Sequence, residues 1–370
     1  MIKKKLITVV AGTRPNLIKV APLIRAIKKN KFFRYRLVYT QQHRLKSMSQ
    51  VFFKDLGIPK SSNTFKLKGK TQLQNFSNII KEFELDCLKH NPHCIIVVGD
   101  VDTTLACSLV ANKLNIYLAH VEAGLRSNDF DMPEEINRII TDSVSDIFFA
   151  TEKSGVLNLI KEGHDKKKIH YVGNVMIDNL YYQKTKLKKK IINKFPTNIL
   201  KKKLKKYAVL TLHRPSNVDK KNTLVQIIKA MNKISKILPI IFPVHPRTKK
   251  NINKYSIIFH KNIFLTKPLP YMEFLNLWKD SEIVLTDSGG LQEETSALGI
   301  KCITIRENTE RPITLDQGTN TLAGTGEVEI YNTFKQKIKM RINLKKISLW
   351  DGNSSKRIVK KLYETKNKMY

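Results

Sequence analysis

Short runs of β-branched and other apolar residues alternate along the chain with longer stretches whose apolar positions recur every three to four residues. A strand buried on both faces reads as a continuous apolar run and a surface helix as a one-sided stripe, so the alternation predicts parallel sheets covered by helices. One series of strands is predicted at LITVVAG (6–12), YRLVYT (35–40), CIIVVGD (94–100), IYLAHVE (116–122), IFFAT (147–151) and IHYVGN (169–174). A second comprises YAVLTLH (207–213), PIIFPVH (239–245), IFLT (263–266), EIVLTD (282–287) and KCITIR (301–306). Each series forms one Rossmann-like sheet, giving an α/β fold of two such domains facing a cleft.

A chain of 370 residues also outgrows a single hydrophobic core, which rarely extends beyond roughly 250–300 residues. Periodicity weakens and charge accumulates over 181–206, which places the boundary there. The N-terminal domain is expected over 1–182 and the C-terminal, nucleotide-binding domain over 183–352. The last stretch, 353–370, reads as a helix capped by Ser354 or Ser355 that packs back on the first domain.

Composition narrows the class. No run approaches the roughly 18–20 apolar residues needed to cross a bilayer. The opening MIKKKLITVVAGTRPN enters a strand where a signal peptide would need a cleavage site. The expectation is a cytoplasmic protein without membrane insertion. Cys87, Cys94, Cys107 and Cys302 show no CxxC or Cys/His spacing and read as reduced core residues, with no metal site among them. The formal charge is +36, and such a field attracts polyanions whatever the fold. Lysine, however, is spread along nearly every helical segment, densest in KTKLKKKIINKFPTNILKKKLKK (184–206), without aromatic interleaving or a nucleic-acid-binding signature. A lysine-biased solvated surface is expected, not a specific nucleic-acid interface.

Ligands of open parallel sheets bind beyond the carboxyl ends of the strands, where helix N-termini and loops converge. The predicted strands end in Gly12-Thr13-Arg14-Pro15, Gly99-Asp100, His120-Val121-Glu122, Leu212-His213-Arg214, Val244-His245-Pro246-Arg247 and Thr286-Asp287-Ser288-Gly289-Gly290. The segment LTDSGGLQEET (285–295) leaves a strand and opens a helix, with Asp287 or Ser288 as cap and Gly289 and Gly290 leaving backbone N–H groups unobstructed. That is the form of a diphosphate cradle. Glu294, on the same helix, is placed to chelate ribose hydroxyls. Arg14, at the first strand end, and Arg311, in RENTERPIT (306–314), are phosphate candidates because a guanidinium presents paired donors to phosphate oxygens. Lys19 follows Arg14 within reach of the same cleft. Asp100, Glu122 and the pair Glu134-Glu135 form an acidic group. Two carboxylates at the ends of neighbouring buried strands need partners or a function, and Glu134 and Glu135 also suit a helix start after Pro133.

Together the segments GTRPNLIK (12–19), QQHR (41–44), VVGDVDTTLA (97–106), HVEAGLRS (120–127), MPEEINR (132–138), VGNVMIDNL (172–180), TLHRPSNVD (211–219), PVHPRT (243–248), TDSGGLQEE (286–294), RENTERP (306–312) and LWDG (349–352) resemble the non-hydrolysing UDP-N-acetylglucosamine 2-epimerase family. The resemblance spans nearly the whole chain and implies the two-domain glycosyltransferase type B fold. It implies that Arg14, Lys19, Asp100, Glu122, Glu134, His213, Phe274, Ser288, Gly289, Gly290, Glu294 and Arg311 line the substrate site. Phe274, by periodicity an ordinary core aromatic, is assigned to the uracil only through it. It also implies a homodimer, no organic cofactor, and a role in making surface polysaccharide precursors.

Two positions depart from the family pattern. Asn16 stands where members commonly carry Glu after GTRP, a change expected to affect the helix cap more than the chemistry. Leu45, Lys46 and Ser47 follow QQHR where members activated by a second substrate molecule carry an amide or acid with a methionine close behind. Arg214 and His245, which the family implicates in that second site, are present.

No carbonyl acidifies the hydrogen on carbon 2 of an N-acetylhexosamine, so direct deprotonation is too costly. Loss of UDP from carbon 1 as the proton leaves carbon 2 gives a glycal, and reprotonation from the other face with return of UDP gives the manno epimer. That route needs acid/base groups on both faces and donors for the departing diphosphate. Asp100, Glu122 and Glu134 are the expected acid/base groups, with His213, Arg14 and the Ser288-Gly290 turn stabilising charge. A 2-epimerase of a modified UDP-acetamido sugar and a hydrolysing 2-epimerase are the alternatives.

Overall fold

Two parallel sheets organise the computed structural model, which describes residues 4–42, 53, 56–342 and 346–369. The first contains β1 (Lys5–Ala11), β2 (Phe33–Tyr39), β3 (Asn63–Thr64), β4 (Cys94–Val98), β5 (Tyr117–Val121), β6 (Ile147–Ala150) and β7 (Ile169–Tyr171), in the order β3-β2-β1-β4-β5-β6-β7. The second contains β8 (Ala208–Thr211), β9 (Ile240–Pro243), β10 (Ile263–Thr266), β11 (Ile283–Thr286) and β12 (Lys301–Thr304), in the order β10-β9-β8-β11-β12. The strand order reverses between β1 and β4 and again between β8 and β11. These are the switch points at which doubly wound sheets bind ligands.

All the apolar runs read as strands form strands. Among the described residues the one unpredicted strand, β3, is a two-residue polar edge pairing with β2 and carries no apolar run to reveal it. The ladders stop short of the predicted ends: β4 ends at Val98 and β5 at Val121, and the residues after them turn out of the sheet. Gly99 and Glu122 take left-handed backbone, with φ of 73° and 75°.

The chain divides into two units, Met1–Tyr181 with Ser348–Tyr370, and Tyr182–Ile347. In the first, Val10, Val38, Ile95, Val97 and Leu118 of the strands pack against Ile79, Phe83, Val110 and Ala111 of the helices. In the second, Leu210, Ile240, Phe242, Leu285 and Ile303 pack against Ile227, Met231 and Phe334. The stretch of weakened periodicity is helical, as Val175–Lys186, Lys189–Ile192 and Thr197–Leu204. Glu273 fixes the last of these by accepting from the Thr197 N–H (3.0 Å) and hydroxyl (2.9 Å). The four cysteines are free and buried. No helix among the described residues is long and apolar enough to cross a membrane.

The return to the first unit starts at Ser348, before the predicted 353, because LWDG itself packs there. Trp350 is buried, the Tyr171 hydroxyl donates to the Ser348 carbonyl (2.9 Å), and the Tyr181 hydroxyl donates to that of Trp350 (3.4 Å). The final helix, Ser354–Glu364, is not capped by Ser354 or Ser355. Its N-cap position is Asn353, and the buried Asp178 carboxylate accepts from the N–H groups of Ser354 (3.0 Å) and Ser355 (2.7 Å). An acceptor from 176 residues away does the work of a local cap, which no local pattern announces. Asp178→Ala is expected to cost about 2 kcal/mol and lower Tm by about 4–8 °C, read by calorimetry.

Candidate functional site

In the first unit, the turn after β1 opens the helix Arg14–Lys28 with Arg14 as its first residue. Asn16 governs this turn. Its Oδ1 accepts from the N–H groups of Gly12 (3.3 Å) and Thr13 (3.2 Å) and from the Thr13 hydroxyl (3.2 Å), while its Nδ2 donates to the Val98 carbonyl (3.1 Å). An amide both accepts and donates, whereas an ionised glutamate only accepts. Asn16 therefore ties the helix start to the end of β4. His43 and Arg44, with Leu45, Lys46 and Ser47, lie outside the described residues.

Lys19, one turn further along that helix, forms a buried ion pair with Glu122 at the end of β5. The pair closes over Gly99, where a Cβ would begin 3.2 Å from Lys19 Nζ and 3.9 Å from Glu122 Oε2. The bare backbone of Gly99, held at positive φ, gives the two side chains their room. Asp100 follows at once and keeps 23% of its side chain exposed, while its carboxylate pairs with the buried Arg138. Asn137 donates to the Asp100 carbonyl (3.0 Å) and to Asp102 Oδ1 (3.2 Å). The switch-point end of the first sheet thus carries two carboxylates, each against its own cation.

Glu134 and Glu135 separate because successive helical positions point about 100° apart. Glu135 is buried and accepts from the Ser127 N–H (2.9 Å), the Ser127 hydroxyl (3.0 Å) and the Asn128 N–H (3.1 Å), so it holds the preceding loop. Glu134 is exposed in the first turn of the helix Pro133–Ser143. Arg138 sits one turn later on this helix and was not among the expected site residues. Its signal is the spacing from Glu134 within MPEEINR, which puts an arginine on the same helix as the acid.

In the second unit, Asp287, one of the two candidate caps, has a different task. Fully buried, its Oδ2 accepts from the N–H groups of His213 and Arg214 (both 2.9 Å), and its Oδ1 lies 2.8 Å from His213 Nδ1. Burial raises its pKa, but the hydrogen bonds and charge of His213 and the two backbone donors outweigh this and hold the carboxyl below its ordinary value. Asp287 therefore fixes the turn after β8 and aims His213, whose side chain stays 44% exposed. The His245 ring lies 6.0 Å from that of His213. Ser288 takes the N-cap position of the helix Gly289–Leu298 without a side-chain capping bond, leaving the helix opening to Gly289 and Gly290. The first N–H groups of any helix lack partners within it, so this end suits an anion.

Glu310 occupies part of that neighbourhood, with Oε1 2.9 Å from where a Cβ on Gly289 would begin. It pairs with Arg306 (2.8 Å) and Arg214 (3.2 Å). Burial pushes its carboxyl up, yet Arg311, Arg214 and Arg306 together drive it well below the usual carboxylate range. Arg311 itself is buried with Nε 2.8 Å from Glu293 Oε1. Glu294 is 4% exposed and accepts from the Tyr271 hydroxyl at 2.5 Å. Burial pushes its pKa up to about 7, with the Tyr271 bond opposing and the Glu293 charge adding. Phe274, one turn beyond Tyr271 on the helix Tyr271–Trp278, is half-buried, not a core aromatic. Among the described residues, no group of three or more His, Cys, Asp or Glu side chains is arranged to hold a metal ion.

A family model described as UDP-N-acetylglucosamine 2-epimerase matches residues 25–363. UDP-N-acetylglucosamine 2-epimerase of Methanococcus maripaludis is 41% identical over 360 residues, covering 95% of this chain and 97% of its own. UDP-2,3-diacetamido-2,3-dideoxy-D-glucuronate 2-epimerase of Pseudomonas aeruginosa is 35% identical, covering 97% and 99%. The crystal structure of Methanocaldococcus jannaschii UDP-GlcNAc 2-epimerase in complex with UDP-GlcNAc and UDP superposes with a TM-score of 0.87 at 37% identity, covering 97% of this chain and 99% of that one. With the two reversed-order sheets and the polar strand ends already described, these likenesses settle the family. The chain belongs to the UDP-N-acetylglucosamine 2-epimerase family.

Proposed function

We propose that this enzyme interconverts UDP-N-acetylglucosamine and UDP-N-acetylmannosamine by eliminating and re-adding UDP. The observation that carries the reading is the placement of Asp100 and Glu122 at the ends of adjacent strands, each against a buried cation, Arg138 and Lys19. Paired carboxylates at neighbouring strand ends suit two proton transfers at one carbon. One group takes the carbon 2 proton. The electron pair of that C–H bond becomes the carbon 1–carbon 2 double bond, and the carbon 1–oxygen pair leaves with UDP. A proton delivered to the opposite face of carbon 2, with return of the UDP oxygen to carbon 1, completes the epimerisation. Asp100, Glu122 and the exposed Glu134 share these transfers.

The second unit's residues hold the nucleotide. The open end of the helix Gly289–Leu298, with Ser288, Gly289 and Gly290, takes the diphosphate together with Arg311 and His213, and Glu294 takes the ribose. Phe274 lies against the uracil, as the family resemblance implies. The resemblance extends to a cytoplasmic homodimer that needs no organic cofactor and supplies surface polysaccharide precursors.

The test is incubation with UDP-N-acetylglucosamine in D2O, followed by NMR at carbon 2. Deuterium at carbon 2 in both recovered sugar nucleotides is expected. Free N-acetylmannosamine and UDP would instead mark a hydrolysing enzyme, and neither exchange nor turnover would overturn the substrate assignment. The likeness to the Pseudomonas aeruginosa relative makes a UDP-diacetamido-uronic acid the second substrate to assay.

A further inference from the structure

The acid/base groups proposed above stand on backbone that has left the sheet. Glu122 is a non-glycine residue at φ 75°, a strained conformation that persists only where the surroundings over-determine it. The surroundings here converge on one side chain. His120, fully buried two residues before Glu122, has Nε2 2.9 Å from the Gly99 carbonyl, next to Asp100, and Nδ1 2.6 Å from Asp142 Oδ1. The other Asp142 oxygen accepts from the Gly124 N–H (3.1 Å), just past Glu122, and from Arg126 (2.7 Å). Asp142 belongs to the helix Pro133–Ser143, which also carries Glu134 and the Asp100 partner Arg138.

We propose that His120 is the positioning residue of the proton-transfer site, joining through Gly99 and Asp142 the three segments that carry Asp100, Glu122 and Glu134. The proposal rests on the reading of those carboxylates given above. A carbonyl and a carboxylate oxygen both only accept, so the two contacts are satisfied together when the ring donates from both nitrogens. Charge-assisted, fully buried bonds of this kind hold their partners far more rigidly than exposed ones. The strand end after β4 is thereby locked to the helix, and Asp100 is set against Arg138 before substrate arrives. No substrate atom need touch His120.

The two arms can be cut separately. His120→Asn keeps a donor for Asp142 and leaves the Gly99 carbonyl without one; His120→Gln reaches Gly99 and gives up Asp142. We expect His120→Asn to lower kcat by about 100-fold, since misplacement of a reacting group by about 1 Å has that effect. KM for UDP-N-acetylglucosamine and Kd for UDP should stay within about threefold, and His120→Gln should recover about tenfold of the loss. In the wild-type enzyme, 1H–15N spectra should show two exchange-protected ring N–H protons on His120. An unchanged kcat in His120→Asn, equal losses in both variants that follow only their Tm, or a ring with a single N–H proton would overturn the proposal. The spectroscopic result holds even if a variant fails to fold. A wild-type enzyme inactive on UDP-N-acetylglucosamine would instead remove the substrate assignment and leave the two-proton signature to stand or fall by itself.

Discussion

Glu122→Gln is expected to lower kcat by about 10³-fold while Kd for UDP changes by less than about threefold, the pattern of a lost proton-transfer group. The substitution keeps the size and the φ-positive backbone of Glu122 and leaves an amide oxygen facing Lys19, so the strand end survives. What disappears is a group able to exchange a proton. Asp100→Asn, whose partner Arg138 retains an oxygen to donate to, should fall by a comparable factor of about 10²–10⁴. Steady-state turnover and calorimetric titration with UDP measure the two quantities independently. A rate within about tenfold of wild type would remove the substituted residue from the acid/base set. Starting the D2O exchange from each epimer in turn then ranks the carboxylates. The variant lacking the base for one face stops exchange from that epimer first.

Glu294→Gln is expected to weaken nucleotide binding and, above neutral pH, to strengthen the fold. Its carboxyl is pushed up to about 7 by burial, against about 4.3 in an unfolded chain. Because the folded pKa lies above the unfolded one, the bound proton favours the native state in full below about pH 4, and this contribution disappears as pH rises through about 7. The full loss amounts to about 4 kcal/mol for a shift of this size, of which about 3 kcal/mol falls between pH 5 and pH 8. Glutamine has no proton to lose and still accepts from the Tyr271 hydroxyl. The Tm of the variant relative to wild type should therefore rise between pH 5 and pH 8, by about 6–12 °C.

Binding moves the other way. On the proposed role the ionised carboxylate chelates the ribose, so wild-type affinity for UDP-N-acetylglucosamine should increase from pH 6 to pH 8. The variant should lose about 10–100-fold at pH 8, together with the pH dependence. Scanning calorimetry and titrations across that range decide both points. A relative Tm that does not vary with pH, or a variant that binds as wild type does at pH 8, would remove Glu294 from the nucleotide site. A residue that destabilises the resting fold and is retained for its ligand is a common cost of function.

By itself, the sequence determined the order of strands and helices, the existence of two Rossmann-like sheets and the strand ends at which polar residues collect. Each depends on local periodicity, which the backbone imposes within a few residues. Its motifs also carried the family likeness that the comparisons bear out. What only tertiary structure decided is the pairing of side chains. Asp100 meets Arg138 from 38 residues away, and Asp287, a candidate cap alongside Ser288, instead binds His213 and Arg214, more than 70 residues earlier. The adjacent glutamates 134 and 135 divide into an exposed acid and a buried loop anchor because one helical step turns them to opposite environments. Likewise Asp178 caps a helix that its own serines were expected to cap. Hydrogen bonds and ion pairs act over about 3 Å of space with no regard for distance along the chain. A strand can therefore be read from its own residues, whereas the partner of a buried carboxylate is chosen by the packing of the whole unit.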